Sequence, residues 1–69
     1  MDERLTKAIG KRVRAARAIT GLSQAEFAER AKITRGYLSD IERGAKEMKV
    51  STFRRVAKVA GISAQSLLA

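Results

Sequence analysis

The sequence predicts an all-α fold, a compact domain of five short helices. Three observations carry that expectation. Apolar residues recur at spacings of three and four along most of the chain, and capping residues and glycines punctuate those stretches. No segment alternates apolar and polar residues with period two for more than a few positions, so no strand is expected. Proline is absent, and 69 residues suffice for one small core without a second domain. Residues 1–69 are therefore expected to form a single unit, with Met1 as its natural start.

Asp2 and Glu3 put negative charge where the first helix begins and its dipole favours it. Leu5, Ile9, Val13 and Ala16 follow at spacings of four, four and three. The stripe runs to about Thr20, and Gly21 supplies the stop. Arg4, Lys7, Lys11, Arg12 and Arg14 fall around the remaining surface. Arg17, four residues beyond Val13, continues the apolar stripe instead, so its charge must find a partner beside the core.

Ser23-Gln24-Ala25-Glu26 is a capping box, in which the Ser23 hydroxyl accepts from an amide of the next helix and Glu26 accepts from the Ser23 amide. A second helix starts there, buries Phe27, Ala28 and Ala31, and ends near Ala31-Lys32. Thr34 caps a third helix whose Leu38 and Ile41 face inward and whose stop is Gly44. Gly44 to Lys49 reads as a polar, basic loop. Ser51, preceded by Val50 as a hydrophobic staple, is expected to cap a fourth helix that buries Phe53, Val56, Ala57 and Ala60 and closes at Gly61. Ser63 caps a last short helix containing Leu67 and Leu68.

Composition excludes whole classes of chemistry. Without cysteine or histidine the chain lacks disulfides, thiolate and imidazole metal ligands, and every Ser-His or Cys-His nucleophile. Only carboxylates remain as general acids or bases. Glu26 is used in a cap, while Asp40 and Glu42 lie two apart on a helix and face different ways. No enzyme activity, cofactor, metal or small-molecule ligand is expected, and no glycine-rich phosphate loop is present. Neither a membrane span nor a signal peptide can be recognised, which places the chain in the cytoplasm. A membrane-surface role for the first helix fails because the core needs its apolar face. The 15 Lys and Arg against 7 Asp and Glu, a net charge of +8, point to a phosphate-rich partner.

Two short helices joined by a three- or four-residue turn, over about residues 24–43, form a helix-turn-helix, which lays its second helix in the DNA major groove. With Leu38 and Ile41 inward, Thr34, Arg35, Gly36, Ser39 and Asp40 point largely outward and become candidates for base contact. Arg35 suits a bidentate contact to guanine, and Gly36 lets the backbone approach closely. Asp40 can accept from a cytosine amino group or orient Arg35 or Arg43. Arg43, Lys46 and Lys49 follow the reading helix and reach flanking phosphates. The Tyr37 hydroxyl can meet a phosphate while its ring packs on the second helix.

The segments Ser23-Gln24-Ala25-Glu26-Phe27-Ala28 and Tyr37-Leu38-Ser39-Asp40-Ile41-Glu42-Arg43-Gly44 resemble the phage repressor and Cro type of helix-turn-helix domain, the xenobiotic response element family. Val50-Ser51-Thr52-Phe53 and Ala60-Gly61-Ile62-Ser63 match as well, and the likeness runs from about Ile9 to Leu68. The resemblance implies a lambda-repressor-like fold, base reading from the positions of Arg35, Gly36 and Asp40, and a backbone contact from Gln24 at the start of the second helix. It also implies an ion pair between Arg17 and Glu42. One departure stands in the turn, where relatives commonly carry glycine and this chain has Lys32. Either Lys32 adopts positive φ or the turn differs.

The function expected on these grounds is sequence-specific binding of double-stranded DNA as a transcriptional regulator, a repressor acting as a homodimer on a palindromic operator. Val59, Ile62, Ala64 and Leu68 exceed what one small core can hide and are the expected dimer surface. The alternative is an antitoxin-type protein-interaction module that autoregulates through the same fold.

Overall fold

The computed structural model describes residues 2–68, so Met1 and Ala69, the two ends of the expected domain, lie outside it. Five helices follow one another: α1 (Glu3–Thr20), α2 (Gln24–Ala31), α3 (Arg35–Glu42), α4 (Val50–Ala60) and α5 (Ala64–Leu68), with no strand among the described residues. Helix α1 packs against α3, α4 and α5, while α2 packs against α3 and α4. None of the helices is long and apolar enough to cross a membrane.

The local signals account for most boundaries. Asp2 caps α1 by accepting from the Arg4 amide at 2.8 Å. The capping box of α2 is complete, with Ser23 Oγ accepting from the Glu26 amide at 3.1 Å and Glu26 accepting from the Ser23 amide at 3.0 Å. Thr34 accepts from the Tyr37 amide at 3.0 Å to start α3, and Ser63 accepts from the Ser66 amide at 3.1 Å at the start of α5. Left-handed residues stop the first four helices: Gly21, Lys32, Gly44 and Gly61.

One start differs from expectation. Helix α4 begins two residues early, at Val50, with Lys49 as N-cap instead of Ser51 and no side-chain capping bond. Ser51 therefore lies inside the first turn, and Val50 is 71% exposed rather than stapled to the helix.

Phe27, Leu38, Ile41, Leu67, Val13 and Val56 are fully buried and form the centre of the core together with Ile9, Ala28, Ala31 and Ala57. Burying such side chains is worth about 1.5–3 kcal/mol each before chain entropy is subtracted, and is the main force holding so short a chain folded. Gly10 sets the distance between α1 and α3. A Cβ there would collide with the Ile41 carbonyl oxygen and stand 3.0 Å from that of Glu42, so only glycine lets the two backbones approach this closely. Two arginines add polar ties to the apolar packing. Arg12 donates to the Leu67 carbonyl at 3.1 Å, and Arg55 donates to the Ala31 carbonyl at 2.9 Å, so α1 holds the end of α5 and α4 holds the end of α2.

Lys32 resolves the question of the turn. Its φ of 59° and ψ of 42° are left-handed, and the Ile33 amide donates to the Ala28 carbonyl at 3.0 Å to close the motif. The turn keeps the geometry that glycine adopts freely, and the lysine side chain bears a steric cost of about 1 kcal/mol. Lys32→Gly is accordingly expected to stabilise the domain by up to about 1 kcal/mol, raising Tm in thermal unfolding by roughly 5 °C. A lowered Tm would contradict the strain assigned to this position.

Candidate nucleic-acid interface

The site begins with a buried carboxylate. The Glu42 side chain, only 4% exposed, accepts from Arg17 Nε at 2.7 Å and from Arg17 Nη2 at 3.1 Å, a bidentate pair across α1 and α3. Gln24 Nε2 donates to the same carboxylate at 3.0 Å, and Arg17 Nη1 donates to the Leu22 carbonyl at 3.1 Å. One charge pair thus ties α1, the α1–α2 loop, the start of α2 and the end of α3 together. The hydrogen bonds to Glu42 hold the Arg17 guanidinium in its charged form, raising its pKa further.

Above this network lies an open cleft lined by Arg14, Arg17, Ser23, Gln24, Ala25, Arg35, Ser39, Glu42 and Arg43. It brings together Gln24, Arg35, Ser39 and Arg43 from the sequence-expected set. Three lining residues were not anticipated: Arg14, Ser23 and Ala25. Arg14 stands one helical turn before Arg17 and faces the same way, a spacing that could have identified it. Gln24 and Ala25 open α2, whose first-turn amides and dipole favour an anion. The Gln24 side chain itself is turned inward to Glu42.

Thr34, Arg35 and Gly36 form the exposed start of α3, with the Thr34 hydroxyl used as the cap. Nothing lies within 4 Å of a Cβ built on Gly36, so this stretch of backbone stands open. Arg14 and Arg35 have no hydrogen-bond or ion-pair partner among the described residues. The cations after the helix are differently placed. Arg43 and Lys46 both pair with Asp40, the latter at 3.3 Å. Hydrogen bonding from Lys46, and after it from Arg43, lowers the pKa of the half-buried Asp40 carboxyl. The pairing is present at neutral pH and is lost as pH falls through that lowered pKa. Asp40 does not pair with Arg35.

Other expected residues lie away from the cleft. The Tyr37 hydroxyl donates to the Glu47 carbonyl at 3.0 Å while its ring packs on the core, so its donor is spent on the α3–α4 loop. Lys49 is exposed at the start of α4. Of the four residues expected at a dimer surface, Val59, Ile62 and Ala64 are partly buried against this chain's own core, and Leu68 is 48% exposed. Open apolar surface includes Ile19, 88% exposed at the end of α1, and a groove lined by Met48, Val50, Phe53, Arg54, Ala64 and Leu68.

Removing one partner of a buried ion pair leaves the other desolvated and uncompensated. Glu42→Ala is therefore expected to cost about 3–5 kcal/mol and to lower Tm by well over 10 °C in calorimetry. An unchanged Tm would show that the pair is not structural.

The helix-turn-helix domain family matches residues 10–69. The immunity repressor protein of Bacillus phage phi105 is 37% identical over 60 residues, covering 87% of this chain and 42% of the phage protein. The chain thus spans less than half the length of that relative. Among solved structures, the clp gene regulator ClgR from C. glutamicum superposes with a TM-score of 0.88 at 36% identity, over 93% of this chain and 82% of that one. The master regulator for biofilm formation SinR, solved in complex with DNA, superposes with a TM-score of 0.84 at 34% identity, over 88% of this chain and 98% of that one. Sequence and architecture agree over nearly the whole chain, which belongs to the helix-turn-helix domain family in its phage-repressor and Cro-type form.

Proposed function

We propose that the chain binds double-stranded DNA sequence-specifically and represses transcription as a homodimer on a palindromic operator. The observation that carries this reading is the exposed start of α3, where an unpaired Arg35 and the open backbone at Gly36 stand beside a cleft supplied with Arg14 and the first amides of α2. Arg35 is the group suited to guanine O6 and N7 in the major groove. Arg14 and the α2 amides hold phosphates on one side, and Lys49 holds them on the other. Arg43 and Lys46 reach phosphates once they leave Asp40. Thr34, Ser39 and Asp40 complete the groove-facing set, and Asp40 accepts from a cytosine amino group where one is presented.

The dimensions support pairing of two copies. The domain measures 28 × 22 × 20 Å, less than the roughly 34 Å that separates successive half-sites on one face of DNA. The apolar groove lined by Val50, Ala64 and Leu68 is the surface best suited to a second copy, while Val59 and Ile62 pack against the core and do not line it. The regulator SinR, solved with DNA, supports duplex DNA as the partner.

Selection from random duplexes followed by fluorescence titration at two salt concentrations tests this reading. A palindromic consensus is expected. Arg35→Ala should relax preference at one base-pair position, at a cost of about 1–3 kcal/mol on the selected site alone. Arg14→Ala should weaken all sequences alike and reduce the salt slope by about one. Uniform weak binding with no selected sequence, or equal losses from both variants on every duplex, would overturn the assignment.

A further inference from the structure

A second concentration of positive charge lies at the other end of α2. The cleft there is lined by Arg30, Lys32, Arg55, Lys58 and Val59, and shares no residue with the reading cleft. It contains four cations and no acidic residue. Glu26 and Glu29 lie on the adjoining face beside Arg30, so part of that charge is balanced. Lys32 and Lys58 have no hydrogen-bond or ion-pair partner among the described residues.

One side of the cleft is fixed by a hydrogen bond. Arg55 is held against the C-terminal end of α2 by its bond to the Ala31 carbonyl at 2.9 Å. Lys58 follows three residues later on the same face of α4. Lys32 occupies a left-handed position where glycine would be unstrained. Four like charges around one concavity repel each other and concentrate a positive potential that an anion relieves. Lys32 stands two residues before the Thr34 cap, on the turn that carries α3 towards the groove. The cleft thus borders the turn that leads into α3, which favours nucleic-acid phosphates over an acidic polypeptide.

The geometry points to a second phosphate-binding surface, formed by Arg30, Lys32, Arg55 and Lys58 between the end of α2 and α4, that engages the backbone of duplex DNA flanking the bases read by α3. The inference rests on the DNA-binding reading above and extends the footprint beyond it.

The test compares two duplexes: one limited to the selected site, and one extended by about one helical turn, roughly 10 base pairs, at each end. Wild-type protein should bind the longer duplex about tenfold more tightly, with a steeper salt slope from the added phosphates. The Lys32→Gly/Lys58→Ala variant should keep wild-type affinity for the short duplex and lose most of the gain. Because Lys32→Gly removes backbone strain, a Tm at or above wild type will show that this loss is not unfolding. Equal gains in variant and wild type, or no gain in either, overturn the inference and leave the reading by α3 intact. Failure of wild-type protein to bind the short duplex overturns both. Binding of poly-glutamate at this cleft with no length-dependent gain assigns it to an acidic polypeptide, and also overturns the inference.

Discussion

A carboxylate removed from water in a domain this small must have its oxygens satisfied or it unfolds the structure around it. Glu42 meets that requirement with donors from two other helices, Arg17 of α1 and Gln24 of α2. The same bonds decide how α3 is presented. With Glu42 anchored at its end and Gly10 letting α1 come against its backbone, α3 has one inner side and one outer side. Leu38 and Ile41 take the inner side, and the outer side is left for a partner.

Charge around that outer side is divided rather than uniformly free. Asp40 holds Arg43 and Lys46, so the cations that follow α3 are in part spoken for before any ligand arrives. Exposed pairs of this kind are worth little in stability. Their effect lies in neutralising part of the positive charge after α3, whereas Arg35 at its start has no partner among the described residues.

Much of this was legible in sequence wherever the cause is local. The Ser23 box, the Thr34 cap and the Gly44 stop each depend on residues within one turn, and the boundaries of α2 and α3 followed from them. A charge on an apolar stripe at Arg17 pointed to a partner because burial without one is unaffordable. What depends on neighbours distant in sequence was not legible. The spacing of Arg14 and Arg17 puts both on one face of α1, but that this face lines a cleft with the starts of α2 and α3 is set by tertiary packing, and the Tyr37 hydroxyl is engaged by a loop carbonyl whose position no local pattern specifies. The start of α4 was misplaced by two residues because Ser51 is a good cap by type, whereas Lys49 begins the helix without any side-chain cap. Val59 and Ile62 looked surplus to one core, yet they pack against its edge.

On the proposed reading, the exposed start of α3 and the adjoining cleft form the surface that meets DNA. Mapping backbone amide chemical shifts during titration with a selected duplex tests it most directly. The largest changes are expected at Arg14, Ala25, Arg35, Gly36 and Ser39, on α1, α2 and α3. Changes concentrated on α5 and the second half of α4, with the start of α3 unperturbed, would contradict it.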